Sequence, residues 1–257
     1  MIAPIPRDIP DLPAVPGRPK RPPSRVPASA VVAPARRPLV AAFRLLTAAA
    51  AAGAVAVDLT LGSPLRVLSH FSVQSGILLA VVLALSARRA WTARRPLPSA
   101  LTGATLLYAV ITMLGHHLLP ATPAYSITGT SAAGWESLAD PILHTAAPVA
   151  AILDWLLLTA PDHLHLRQAG KWLLYPAAYL AFTLVRAELL LPGTPGRYLY
   201  PLLDVDRHGY QAVLTNALLL SLALYALALL LVALDHTRPN PVRPRPKTGF
   251  RLRPPVG

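Results

Sequence analysis

Cysteine is absent from this chain of 257 residues, and only 11 of its residues are acidic. Without cysteine the chain has no disulfide bonds, no thiol catalysis and no cysteine-ligated metal site. Charged residues make up 14% of the chain and hydrophobic residues 54%, which is typical neither of a soluble enzyme nor of a disordered protein. The sequence also lacks a phosphate-binding loop, a dinucleotide-binding fingerprint and a Gly-x-Ser-x-Gly elbow.

Proline and positive charge are concentrated at the two ends of the chain. Residues 1–38 hold 11 of the 29 prolines, and residues 235–257 hold another 6. Proline at this density prevents regular helix and sheet, so we expect disordered basic tails over residues 1–38 and 236–257. The N-terminal stretch does not resemble a secretory signal, because no apolar core follows within its first 30 residues. Aromatic residues are not interleaved with the tail charges, so nucleic acid is not an expected partner.

The central region, residues 39–235, alternates long apolar runs with short polar breaks. A membrane-spanning helix needs about 20 apolar residues. Six segments meet this length, and no strand-like alternation is present. The sequence therefore predicts an all-α, multi-pass protein of the cell membrane. The six predicted spans are Leu39–Ala56, Arg66–Ser86, Pro98–Leu119, Leu138–Thr159, Lys171–Leu191 and Tyr210–Leu234.

The distribution of basic residues predicts the orientation of these spans. Six spans place both termini on one side, and that side then holds 19 of the 24 lysines and arginines. The opposite loops hold three. By the positive-inside rule, both termini are predicted to be cytoplasmic. The tail charge is then explained as a topology signal and by attraction to anionic membrane lipid.

Polar side chains inside the spans are costly and indicate where function resides. The predicted orientation places most of them toward the outer face. At a rise of ~1.5 Å per residue, Ser72 and His144 each lie about 9 Å from the start of their predicted helices. The other candidates near that face are Gln74, His116, Asp140, Arg186 and Asp204.

Each of these residues also has a purely structural interpretation. A serine in a spanning helix commonly bonds to its own backbone, and a histidine there commonly links two helices. At the opposite face, Asp154 can pair with basic groups and Arg44 can extend toward the same side. His163 and His165 lie in a short loop, but no histidine spacing has the specificity of a zinc signature. We therefore expect neither a metal site nor a cofactor from the sequence.

Four short motifs resemble a family of bacterial six-span membrane proteins. Phe71–Gly76 is similar to a Phe-Thr-x-Gln-Ser-Asn motif of that family. The other matching segments are Leu143–Pro148 followed by Leu153–Trp155, Tyr175–Pro176 with Tyr179–Arg186, and Tyr200–Asp204 followed by Gly209–Tyr210. The resemblance covers residues 39–235 and leaves out both tails.

The bacterial family is similar in turn to the androgen-induced and androgen-dependent TFPI-regulating proteins of animals. Those are intramembrane threonine hydrolases that cleave fatty acid esters of hydroxy fatty acids. The resemblance implies that Ser72 takes the place of the nucleophilic threonine and His144 that of the histidine base. Two departures stand out: serine replaces threonine at Ser72, and Gly76 replaces the asparagine of the motif.

The residue types fit this chemistry independently of the resemblance. A hydroxyl group needs an adjacent base to act as a nucleophile, and a histidine supplies one. Asp140, one turn before His144, can orient the ring, as can a backbone carbonyl. Arg186, if it points inward, can hold a fatty acid carboxylate or an oxyanion. The alternative is a non-enzymatic membrane protein for lipid binding, scaffolding or small-molecule transport.

Overall fold

The computed structural model describes residues 35–118, 127, 134–194 and 196–241, and the regular structure in this part is entirely helical. Of the two predicted disordered tails, residues 1–34 and 242–257 lie outside the described residues. The helices, numbered here in chain order, are α1 Pro38–Leu61, α2 Pro64–Ser69, α3 Phe71–Trp91, α4 Ser99–Leu118, α5 Glu136–Pro141, α6 Ala147–Leu153, α7 Leu166–Trp172, α8 Leu174–Leu189 and α9 Val205–Thr237. Two π turns, Ile142–Ala146 and Asp154–Leu158, extend α5 and α6 into one segment over residues 136–158.

Five of the helices are long and apolar enough to cross a membrane: α1, α3, α4, the α5–α6 segment over Leu138–Leu158, and α9. The protein is therefore an integral membrane protein by the length and composition of its helices. The predicted span Lys171–Leu191 is not found as one helix, because the helix is interrupted at Leu173, between Trp172 and Leu174. Pro176 explains the break. It has no N–H and its ring crowds the carbonyl of Trp172, which accepts a hydrogen bond from the Tyr108 hydroxyl at 2.7 Å instead.

The predicted second span is also interrupted. His70 has an extended backbone (φ −79°, ψ 135°), which separates α2 from α3. Ser72 is therefore the second residue of its helix and does not lie about 9 Å along it. The sequence-based expectation that Ser72 and His144 lie equally deep in their helices is wrong for Ser72.

Small residues bring the helices close together. The buried face of α1 consists largely of alanines, among them Ala48, Ala51 and Ala54, and α1 packs along α3. Gly103 of α4 lies so close to the Trp172 ring that a Cβ there would collide with it. Packing through small residues is typical of helices in membranes, where association depends on close backbone approach.

One end of the bundle is held by buried charges, and we call it the Arg44 end. Arg44 near the start of α1 donates to the Asp154 carboxylate at 2.7 Å, as the position of Asp154 in the sequence suggested. Arg238, just after α9, donates to the carbonyls of Trp155 and Thr159 at 2.7 and 2.9 Å. The start of α1 and the end of α9 thus meet the same segment. We call the opposite end, where α3 begins and α4 ends, the Ser72 end.

Candidate functional site

Three ionisable side chains meet at the Ser72 end of the bundle. His144 Nδ1 lies 3.0 Å from Asp140 Oδ1, and His116 Nε2 lies 3.7 Å from Asp140 Oδ2. The two imidazole rings stack with their centroids 4.6 Å apart and their planes at 22°. We call His116, Asp140 and His144 the His–Asp–His cluster. His144 is buried, whereas His116 and Asp140 are partly exposed.

A local distortion of the helix positions His144. Pro148 has no N–H, and its ring crowds the carbonyl of His144 four residues earlier. The helix widens here into the π turn Ile142–Ala146, in which the Ala147 N–H bonds to the Ile142 carbonyl. Single π turns are frequent at functional sites. The His144 ring points back toward the start of its helix, where its Nδ1 also lies 3.0 Å from the Asp140 backbone oxygen.

Ser72 lies in a different local environment, formed by two tyrosines. The Phe71 N–H, at the first turn of α3, donates to the hydroxyls of both Tyr179 and Tyr200 at 3.1 Å. Tyr179 in turn donates to the Ser69 carbonyl at 2.8 Å. The Ser72 side chain is buried and lies beside the Tyr200 hydroxyl. The two tyrosines therefore satisfy backbone groups that the break at His70 leaves free.

The Tyr200 hydroxyl remains protonated beside Ser72. Burial raises the pKa of Tyr200, and hydrogen bonds from Tyr179, from the Phe71 and Ser72 backbone and from the Ser72 side chain oppose this shift in part. A neutral phenol is both a donor and an acceptor. Tyr200 can thus hold the Ser72 hydroxyl while it accepts from the Phe71 N–H.

Two contacts bring the first turns of α3 beside the His–Asp–His cluster. The Ser75 hydroxyl hydrogen-bonds to Thr112 Oγ1 at 2.6 Å, and Thr112 lies one turn before His116 on α4. Gly76 lies against Leu143, the residue before His144, so closely that a Cβ would collide with it. Ser72, four residues before Gly76, lies on the same side of α3. No hydrogen bond joins Ser72 directly to His144 within the described ranges.

The other predicted site residues make contacts of their own. Gln74 accepts from the Tyr175 hydroxyl at 2.5 Å and donates to the Leu68 carbonyl at 2.8 Å. The Arg186 guanidinium donates to the carbonyls of Gly196 and Arg197, at 2.9 and 3.1 Å. These contacts fasten α3 to α8, and α8 to the loop that follows it.

Asp204 precedes α9 directly and serves as its N-cap. Its carboxylate accepts from the Arg207 N–H at 3.1 Å, which satisfies one of the free amides of the first helical turn. The structure thus brings Asp140, His144 and His116 together and places Ser72 on the neighbouring helix α3. Three other predicted site residues have partners outside the cluster: Gln74, Arg186 and Asp204.

Sequence reasoning missed the side chains that surround Ser72. In the sequence, Tyr179 and Tyr200 are evident only as parts of short motifs. The sequence offers one signal of their role, because two of the short motifs each contain a tyrosine and both motifs lie at the Ser72 end.

Comparison with models of known protein families, with curated proteins and with solved structures finds no match for this chain.

Proposed function

We propose that this integral membrane protein hydrolyses a lipid ester at its Ser72 end, with Ser72 as nucleophile and His144 as base. The proposed substrate class is a fatty acid ester that enters from the adjoining membrane lipid, and the proposed location is the cell membrane. The observation that carries the proposal is the 3.0 Å contact between His144 Nδ1 and Asp140. A buried histidine whose ring is held by a carboxylate is the arrangement by which a base is oriented toward a hydroxyl nucleophile.

The reaction balances with these groups alone. His144 takes the Ser72 proton while Ser72 Oγ attacks the ester carbonyl carbon. The bond to the alkoxy oxygen then breaks, and the proton passes from His144 to the leaving alcohol. Water, deprotonated by His144, attacks the acyl-serine, releases the fatty acid and returns the proton to Ser72.

The packing of α3 supports this pairing in two ways. The contact of Gly76 with Leu143 brings the Ser72 side of α3 to the π turn that carries His144. The hydrogen bond of Ser75 to Thr112 Oγ1 also holds the first turns of α3 beside α4, whose His116 ring stacks on that of His144. In the proposed reaction the Ser72 hydroxyl turns from Tyr200 and donates to His144. Such a bond is often long in the absence of substrate.

A hydrolysis assay with a panel of lipid esters tests the function. The purified protein in lipid nanodiscs is expected to release free fatty acid from at least one ester. His144→Ala is expected to lower this rate by about 10²–10⁴-fold, because it removes the base. His236→Ala, at the end of α9 far from Ser72, is the matched control and should retain the wild-type rate. No release from any ester, or equal rates in wild type and His144→Ala, would contradict the proposal.

We also propose that α7 and α8 together form a sixth crossing. The 16 residues of α8 have a length of about 24 Å along the helix axis, so α8 needs the adjoining residues of α7 and of the loop after it to match the ~30 Å apolar core of a bilayer. Trp172 of α7 donates to the Ala100 carbonyl just inside α4, at 2.8 Å. Tyr179 of α8 reaches Ser69 at the Ser72 end. An even number of crossings agrees with the shared contacts of Arg44 and Arg238 at one end.

The absence of native cysteine makes this topology directly measurable. Single substitutions Ser63→Cys, Arg94→Cys and Thr194→Cys are probed with a membrane-impermeant maleimide on sealed right-side-out vesicles. With six crossings and cytoplasmic termini, Ser63→Cys and Thr194→Cys should react on sealed vesicles, and Arg94→Cys only after lysis. Reaction of Thr194→Cys only after lysis would show that α7 and α8 do not cross.

The alternative is a non-enzymatic membrane protein, and one observation favours it. The Ser72 hydroxyl is buried beside that of Tyr200, so a serine that only packs α3 against the loop after α8 would look the same. On this alternative, Ser72→Ala changes stability and no ester is cleaved. The hydrolysis assay therefore decides between the two functions.

A further inference from the structure

We propose that the His–Asp–His cluster binds one divalent transition-metal ion of the zinc type. The inference rests on the geometry of His116, Asp140 and His144 and does not depend on the proposed hydrolase. These side chains come from two helices that the sequence separates by a long connection, and each offers one ligand atom. The three ligand atoms all lie within 4.8 Å of one another.

The separations fit a single ion. Ligand atoms bound at 2.0–2.1 Å in a tetrahedral arrangement lie about 3.3 Å apart. The distances from Asp140 Oδ1 to His144 Nδ1 and from Asp140 Oδ2 to His116 Nε2, 3.0 and 3.7 Å, fall on either side of this value, and the limit of 4.8 Å on the three ligand atoms means that the cluster would contract around the ion. A metal ion would take the place of the proton between His144 and Asp140, and small rotations of the side chains would close the site.

The donor types select the class of metal. Two imidazole nitrogens and one carboxylate suit zinc, cobalt or ferrous iron, whereas calcium and magnesium prefer oxygen ligands. Three protein ligands leave a fourth position open, as in catalytic zinc sites. The side chains of His116 and Asp140 are 30% and 41% exposed, so an ion can reach the cluster from the Ser72 end.

The environment of the cluster also favours an ion. The two imidazoles face each other at 4.6 Å, and the Asp140 carboxylate lies beside a ring nitrogen of each. That carboxylate supplies the negative charge that attracts a cation. His117, the neighbour of His116, hydrogen-bonds to Thr145 Oγ1 at 3.0 Å and is not one of the three ligand residues. It therefore serves as a matched control on the same helix.

Titration with Co²⁺ tests the inference without substrate. The full chain, purified through a tag that contains no histidine and held in nanodiscs, is expected to develop a visible Co²⁺ absorption band that saturates at one ion per chain. Zn²⁺ should abolish the band by competition, and the same concentration of Mg²⁺ should not. We expect His116→Ala and Asp140→Asn each to weaken binding at least 100-fold, and His117→Ala and His163→Ala to bind as wild type.

Chemical modification of histidines in the wild-type chain, with and without Zn²⁺, provides a test that needs no variant. Zn²⁺ should protect His116, whose side chain is partly exposed, from modification by diethylpyrocarbonate while His208 and His236 remain reactive. The absence of a saturable band, or a band that is lost in His163→Ala and retained in His116→Ala, would overturn the inference. Because Zn²⁺ on His144 Nδ1 would keep the ring proton on Nε2, the nitrogen that would accept the Ser72 proton, it should also inhibit ester hydrolysis. A chain that binds Co²⁺ and cleaves no ester would contradict the hydrolase alone.

Discussion

Replacing Ser72 by alanine is expected to lower ester hydrolysis by at least about 10³-fold, because the acyl group then has no hydroxyl to which it can transfer. The Ser72 side chain is also buried beside Tyr200, so removal of its hydroxyl should cost about 0.5–1.5 kcal/mol of stability. That loss is too small to unfold the protein. The two effects are separated by measuring kcat/KM and the free energy of unfolding on the same preparation.

Two companion variants identify the source of the loss. Ser72→Thr retains the hydroxyl and should keep measurable hydrolysis, as the threonine of the family motif implies. Ser86→Ala removes another buried serine from α3, at the Arg44 end, and should leave kcat/KM unchanged. Equal activity in wild type and Ser72→Ala would exclude Ser72 as the nucleophile.

Replacing Asp235 by alanine is expected to destabilise the protein by about 3–5 kcal/mol, because it leaves buried partners without their shared acceptor. The Asp235 side chain is 1% exposed. It accepts from the backbone N–H groups of His163 and Leu164 at 2.8 and 2.9 Å, and from Trp155 Nε1 at 3.1 Å. Arg238 completes the site with an ion pair at 2.9 Å.

Unfolding by sodium dodecyl sulfate in mixed micelles measures this change. Asp206→Ala is the matched control, since it removes a carboxylate from the first turn of the same helix. The Asp206 side chain is 49% exposed and pairs with Arg197, so its loss should cost less than about 1 kcal/mol. Equal stabilities of the two variants would show that the network at Asp235 does not secure the Arg44 end.

The spans could be predicted from the sequence because a bilayer imposes one length on every apolar helix. The run that became α4, for example, was predicted to within one residue at each end. Two predicted spans are interrupted in the structure, one by a proline and one by a residue with an extended backbone. Pro176 breaks the predicted fifth span, and His70 ends α2 just before Ser72. Neither break was predicted, because hydropathy averaged over a window is insensitive to single positions.

Part of the candidate site was also visible in the sequence. Asp140 and His144 are separated by one helical turn, and their predicted contact is found. The contact of His144 with His116 was not predicted, because hydropathy gives the depth of a residue but not the direction in which its helix faces. The π turn at Ile142–Ala146 changes that direction locally, and a period of 3.6 residues does not anticipate it.

The surroundings of Ser72 depend on contacts that are distant in the sequence. Tyr200 follows Ser72 by more than a hundred residues and lies in a loop, where no periodicity fixes its position. Its hydroxyl reaches the first turn of α3 only because α8 and the loop after it fold back over the Ser72 end. Such contacts depend on tertiary packing, which a single sequence does not specify.

The most direct test of the proposed hydrolase is to find which residue reacts with a fluorophosphonate ester probe. The wild-type chain in nanodiscs is treated with the probe, digested and analysed by mass spectrometry. We predict a single adduct on Ser72 whose formation slows at least 100-fold in His144→Ala, because the base that activates the hydroxyl is gone. No adduct, or an adduct on another residue that persists in Ser72→Ala, would contradict the assignment of Ser72 and His144 as a catalytic pair.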